Sequence, residues 1–163
     1  PRPCVIPPAM VGPARTEKGN TPMQDTAGDA MPEGFVIIDP DDPFEMYAGP
    51  FYARDEGEAR IYGFRVKPHH ANAGGAIHGG VLMSFADFAL CAEAVRKAPG
   101  EVPVTISLNA DFTAPAQVGE LVTARIDTLR TTRSFSFVRG ELTVGDRVVL
   151  GCSGVIKRVR REG

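Results

Sequence analysis

The stretch from His69 to Lys97 limits what this chain can fold into more than any other. It reads His-His-Ala-Asn-Ala-Gly-Gly-Ala-Ile-His-Gly-Gly-Val-Leu-Met-Ser-Phe-Ala-Asp-Phe-Ala-Leu-Cys-Ala-Glu-Ala-Val-Arg-Lys, a glycine-rich loop opening directly into one long apolar segment. A helix from Gly79 to Lys97 would run about 28 Å at 1.5 Å per residue. Val81, Leu82, Phe85, Phe88, Ala89, Ala92 and Val95 give it apolar surface over most of its circumference, so it should be largely buried. Ala86, Ala89, Ala92 and Ala94 let something pack close against it.

The remaining sequence supplies a sheet to cover that helix. Ahead of it, Phe51–Arg54 and Arg60–Val66 read as two strands joined through Asp55-Glu-Gly-Glu58. Behind the stop at Ala98-Pro-Gly-Glu101 come four strand-like runs, 104–112, 121–128, 134–144 and 148–159. In the first, Val104, Ile106, Leu108, Ala110 and Phe112 share one face, and Thr105, Ser107, Asn109 and Asp111 the other. Short connections force antiparallel neighbours. One helix and about six strands sharing one core make an α+β domain, with the helix across one face of the sheet.

The division expected is an irregular lead-in over residues 1–43, which holds nine of the fourteen prolines, and one domain over 44–163. Within the lead-in, Phe35-Val-Ile-Ile-Asp39 is the one apolar patch, and Asp42-Pro43 is suited to start a short helical turn. The formal net charge of −2 carries no basic stripe or charge block, so neither nucleic acid nor a membrane surface is an expected partner. No apolar run approaches a membrane span. Cys4, Cys91 and Cys152 are scattered and odd in number, which suits a reducing cytoplasm better than a disulfide framework.

Asp87 lies inside the apolar run. A buried carboxylate costs on the order of several kcal/mol unless paired or put to use. It is either a structural Asp bonded to a sheet edge or a working one. His78-Gly79-Gly80 offers no Ser, Thr or Asp cap, and two glycines let a ligand come close to the backbone. The first-turn N–H groups lie at the positive end of the helix dipole and could stabilise an oxyanion, unless water or Asn72 satisfies them. Gly79 and Asp87 are eight residues apart, about 12 Å along one helix. A reacting atom must lie about 3 Å from both donor and base. If both act on one substrate, they come from two copies of the chain, and a two-fold homodimer with antiparallel helices would bring them together. No metal site is expected from His69, His70 and His78, which lack a suitably spaced Cys or second carboxylate. Ser84 has no nucleophile elbow around it.

Asn72-Ala-Gly-Gly75-Ala-Ile-His78-Gly79-Gly80, followed by Asp87 nine residues after the His, resembles the hot-dog-fold thioesterases of the phenylacetate-degradation (PaaI-like) type. Their pattern is Asn-x-x-Gly-x-x-His-Gly-Gly with an Asp nine residues past the His. The likeness runs from about Phe51 to Arg158. It implies an antiparallel sheet wrapped around one long helix. It also implies hydrolysis of acyl-CoA thioesters without metal or cofactor, CoA being part of the substrate, in a homodimer or dimer of dimers. By position, Asp87 would be general base or nucleophile, and the Gly79 N–H would polarise the carbonyl beside Gly80. Asn72 would hold the carbonyl or the attacking water, and His78 would buttress the loop. Relatives carry a hydroxyl residue eighteen positions past the Asp; here it is Thr105. Strand alternation puts Thr105 opposite Ile106, so it points away from the helix if Ile106 packs there, unless a bulge or a dimer contact intervenes. Arg133-Ser134 matches a basic-plus-hydroxyl pair that meets CoA, and Lys157, Arg158, Arg160 and Arg161 are either phosphate contacts or a solvated tail. The competing readings are a non-catalytic acyl-CoA-binding or regulatory hot-dog protein and a hot-dog dehydratase or hydratase, whose carboxylate-and-histidine order fits poorly.

Overall fold

The structure, a computed structural model, describes residues 30–160. The expected lead-in up to residue 29, Cys4 and Arg161 lie outside the described residues. The elements in order are α1 (Pro43–Ala48), β1 (Tyr52–Glu56), β2 (Ala59–Arg65), a 3-10 turn (Pro68–His70), α2 (Gly79–Val95), β3 (Glu101–Phe112), β4 (Leu121–Thr131), β5 (Phe135–Val144) and β6 (Arg147–Arg160). The six strands form one antiparallel sheet in the order β1-β2-β4-β5-β6-β3. The sheet wraps around α2, the hot-dog arrangement that the resemblance implies.

Helix α2 buries Leu82, Phe85, Ala86, Phe88, Ala89, Leu90 and Ala94 against the sheet. The small residues among them let the backbone of α2 approach the strands, and the large ones fill the space between. Phe64 and Phe85 meet with ring centroids 4.7 Å apart, and Phe51 stands 5.2 Å from both Phe85 and Phe88. Each such side chain contributes about 1.5–3 kcal/mol by leaving water. The helix stops at Val95, two residues before Lys97, because the chain turns through Ala98 to Gly100, where φ is +80°.

α1 begins where its side chains demand. Asp42 Oδ1 accepts from the Phe44 and Glu45 N–H groups at 2.9 and 2.8 Å, and Pro43 takes the first turn. Of the apolar patch before it, Val36 pairs with Ala53 on the outer edge of β1. Phe35 lies over β2, where its ring would be 2.9 Å from a Cβ on Gly63. Gly63 and Ile61 are therefore buried as well as Phe64 and Val66, so β2 is covered on both faces rather than one.

β3 departs from simple alternation. It starts at Glu101 and carries Pro103, which an edge strand tolerates. Its register against β6 slips between Thr105 and Ser107, a bulge at Ile106. Leu108 and Ala110 pack on the core, while Val104 and Ile106 are 45% and 56% exposed. The single apolar face expected over Val104, Ile106, Leu108, Ala110 and Phe112 is thus split in two. β3 bonds to β6 on one side, and its other edge has no strand partner among the described residues.

Candidate active site

A cleft of about 520 Å³ opens between α1, α2 and β3. Ser84, Asp87, Phe88 and Cys91 enter it from α2, Phe44 and Glu45 from α1, and Thr105 and Leu108 from β3. Residues 84, 87, 88 and 91 recur at helical spacing, so one stripe of α2 faces the cleft.

Asp87 is half-buried, not engulfed, and it is held from the sheet. The Thr105 hydroxyl donates to Asp87 Oδ1 at 2.6 Å. The bulge at Ile106 makes this possible: Ile106 turns outward and Thr105 faces the helix, which is the exception that the sequence reading allowed for. Cys91 Sγ lies 3.2 Å from the same hydroxyl. Burial pushes the Cys91 thiol up to about 11, and its neighbour Asp87 pushes the same way against the Thr105 hydrogen bond. Cys91 is therefore a neutral thiol at neutral pH and no nucleophile. The other carboxylate of α2, Glu93, is the structural one: it takes a fork from Arg96 at 2.9–3.1 Å and the Tyr62 hydroxyl at 3.0 Å. Among the described residues Asp87 has no ion-pair partner.

The helix start is capped after all. His78 is the N-cap, and its Nδ1 accepts the Gly80 N–H at 2.9 Å. That bond spends the donor of Gly80 and leaves the Gly79 N–H without an acceptor among the described residues. His78 is tied back in turn, because its N–H donates to the His70 carbonyl at 2.8 Å. His70 is 1% exposed and its Nδ1 accepts the Lys67 N–H at 3.0 Å. Burial and the neighbouring His69 and Lys67 hold the His70 imidazole down at about 4, so it is a neutral strut under the loop. Asn72 shapes the loop from within. Its Oδ1 accepts the Gly74 N–H at 2.8 Å and its Nδ2 donates to the Ile77 carbonyl at 3.5 Å, while Gly75 makes the turn at φ +87°.

Two of the expected site residues stand together and the others stand apart. Asp87 and Thr105 are joined. Gly79 is the first residue of the helix, about two turns before Asp87, and sits beside Phe112, whose ring is 3.2 Å from where a Gly79 Cβ would lie. Arg133 and Ser134 form the β4–β5 turn, and their carbonyls accept from Arg158. Thr105, Ile156 and Ser136 share one row of the sheet, so this turn lies two strands across from Thr105, about 10 Å away. Sequence reasoning missed Glu45. Its one local signal was Asp42-Pro43, which predicts α1 but not that α1 docks on α2.

Comparison with known proteins agrees with this fold. The chain is 35% identical over 129 residues to the Pseudomonas aeruginosa protein PA0474, a candidate esterase, across 77% of this chain and 95% of that one. The chain belongs to the thioesterase superfamily. The family model itself matches residues 74–150, from the glycine loop into β6. Human acyl-coenzyme A thioesterase 13 is 31% identical over 84 residues, 48% of this chain and 56% of that protein. Among solved structures, a variant of the phenylacetic acid degradation protein PaaI from Thermus thermophilus is 26% identical, with a TM-score of 0.61 over 72% of this chain and all of that one. As a thioesterase-superfamily member the protein is an enzyme of thioester hydrolysis. Among its described residues no helix is long and apolar enough to cross a membrane.

Proposed function

We propose that this thioesterase hydrolyses acyl-CoA thioesters to the free acid and CoA in a site shared by two copies of the chain. The observation that carries the reading is the Thr105–Asp87 hydrogen bond at 2.6 Å on the wall of a cleft with apolar lining. Thr105 orients the carboxylate and leaves Oδ2 free to act. As general base, Asp87 takes a proton from water while the oxygen attacks the thioester carbon. The carbon–sulfur bond then breaks and the thiolate takes the proton back from Asp87. As nucleophile, Asp87 would attack the same carbon directly and expel the thiolate to leave a mixed anhydride, which water then cleaves to the free acid and the restored carboxylate, the released proton going to the thiolate. A backbone N–H at the start of a helix stabilises the oxyanion in either case. Neither route calls for a metal or an organic cofactor.

The unspent donor is the Gly79 N–H, which lies at the start of the same helix, about 12 Å from Asp87. The open edge of β3 supports a second copy as its source. Long edge strands with apolar side chains pair with other strands. Two β3 strands pairing antiparallel about a two-fold axis between Leu108 and Asn109 would set Thr105 opposite the other copy's Phe112. Since Gly79 abuts Phe112, the other copy's helix start then comes to Asp87. Arg133 and Ser134, with the basic end of β6, are our candidates for the CoA phosphates, and Asn72 for the carbonyl or the water. The free thiols Cys91 and Cys152 suit a cytoplasmic setting.

Turnover of an acyl-CoA panel by wild type and Asp87→Asn tests the reading. Loss of turnover in the variant is expected. Equal turnover would remove Asp87 from the chemistry, and binding of CoA esters without turnover by wild type would favour the acyl-CoA-binding alternative.

A further inference from the structure

Glu45 is the group in the cleft that the reaction leaves unused. Its neighbours there are already committed. Asp42 is bonded to two N–H groups of α1, Asp87 accepts from Thr105, and Cys91 is a neutral thiol against the same hydroxyl. The Glu45 side chain is half-buried, and its carboxyl makes no hydrogen bond or ion pair among the described residues. No Lys, Arg or His lines the cleft. The rest of the lining is mainly apolar, with Phe44, Phe51, Met83, Phe88 and Leu108 in the same cleft. Water still reaches this carboxyl, but a ligand that fills the cleft takes that water away, which is costly unless the ligand brings a donor.

The charge of the cleft says which part of a thioester enters it. CoA phosphates need cations, and here the ionisable groups are carboxyls and a thiol. The portion beside Asp87 on this side of the scissile bond is therefore the acyl group. Burial, followed by the charges of Asp42, Asp39 and Asp87, raises the Glu45 carboxyl to about 7, and an incoming donor would offset that penalty.

We propose that Glu45 is a specificity-determining residue of this thioesterase: its carboxyl accepts a hydrogen bond from a hydroxyl or amino group on the acyl portion, selecting such acyl groups over plain hydrocarbon ones. The proposal rests on the acyl-CoA reading above. A site built to hydrogen-bond a substrate group rejects the analogue lacking it, because its own polar atom is then left unpaired. Acyl groups ending in a carboxylate are disfavoured for the same electrostatic reason.

The test compares omega-hydroxyacyl-CoA with the plain acyl-CoA of the same chain length over a short series of lengths. Wild type should show a kcat/KM ratio of about tenfold or more for the hydroxylated member at the best length. Glu45→Leu should bring that ratio to one or below, and Glu45→Gln, whose amide still accepts, should keep part of it. Non-hydrolysable thioether analogues of the same pairs, titrated into each variant, separate this proposal from the one beneath it. If wild type hydrolyses neither ester while the analogues keep a Glu45-dependent preference, the hydrolysis reading fails and the Glu45 assignment stands. If the esters are hydrolysed and the ratio is the same in all three proteins, the Glu45 assignment is wrong. Should Glu45→Leu not fold, Glu45→Ala takes its place with the same expected ratio.

Discussion

Thr105 donates its hydroxyl to Asp87 Oδ1 across 2.6 Å, fastening an edge strand to the central helix at residues eighteen apart. The bond fixes which carboxylate oxygen is occupied and which is free. Asp87→Asn should preserve the contact, since the amide oxygen still accepts, yet lower kcat by about 100-fold or more. Thr105→Ser should keep most of the wild-type kcat, and Thr105→Val should lose about tenfold, with KM changing less than kcat in both. Steady-state kinetics on one acyl-CoA settles these points, and a silent Thr105→Val would mean that the hydroxyl only serves packing.

If the site is shared, two dead variants can rescue each other. Gly79→Val would drive a side chain into Phe112, whose ring is 3.2 Å from a Cβ at that position, and displace the donor. Mixed with Asp87→Asn and allowed to exchange subunits, half of the dimers carry one intact site of two. Activity should return to about a quarter of wild type. No recovery, with exchange verified by mass, would place the whole site in one chain.

The His78 cap is separable from any contact of His78 with substrate. His78→Ala removes the acceptor of the Gly80 N–H and should cost about 1 kcal/mol. In a chain of this size that lowers Tm by roughly 2–4 °C. His78→Asn restores a good cap and should recover most of the loss. Thermal melts of the three proteins check this, and an unchanged Tm in His78→Ala would show that water caps the helix equally well.

Gly140 is a packing constraint with no chemistry attached. A Cβ there would stand 2.2 Å from the Arg125 carbonyl and 2.5 Å from Ile126 Cδ1. The first neighbour is backbone in the adjacent strand and cannot step aside. Gly140→Ala should therefore cost about 3 kcal/mol, at the upper end of overpacking, measured by denaturant unfolding. Gly151 meets nothing within 4 Å, so Gly151→Ala is the matched control and should cost far less.

Glu45 links stability to pH. Its carboxyl is raised from 4.5 to about 7, first by burial and then by Asp42, Asp39 and Asp87. Between those values the folded chain keeps a proton that the unfolded chain has released. Stability from this group is thus full below about 4.5 and is lost as pH rises through about 7. Relative to wild type, Glu45→Gln should gain Tm at pH 8 but not at pH 4.5. Because the group is about half exposed, solvent screening reduces the gain to about 1 kcal/mol, or a few degrees. Equal Tm differences at the two pH values would contradict the linkage.

How much of this was legible in the sequence follows from the range of each interaction. The helix from Gly79 and the six strands rest on local periodicity, and short connections account for the pairs β1–β2, β4–β5 and β5–β6. The pairs β2–β4 and β3–β6 are long-range, and β3 and β4 do not pair despite the short loop between them. The spacing of Gly79 and Asp87 also needs no tertiary information, because a helix is a ruler, and it requires two copies of the chain if both groups act on one substrate. The cap by His78 escaped because histidine is an uncommon cap and its acceptor atom is set by a rotamer.

Three decisions belonged to the tertiary structure alone. Alternation along β3 predicts Thr105 facing away from the helix, and the bulge at Ile106 reverses it. A bulge is settled by how β3 registers against β6 and by what the helix needs opposite it, forty to fifty residues from the strand in question. Which helix carboxylate is structural was decided by Tyr62 and Arg96 closing around Glu93 and not around Asp87. The docking of α1 beside α2 carried Glu45 into the cleft with Asp87, and the chain after α1 is anchored by Phe51 against Phe85 and Phe88, a contact that no local pattern encodes. Sequence periodicity reports what a segment can be; which groups then face one another depends on long-range packing, and the chemistry of this cleft lies there.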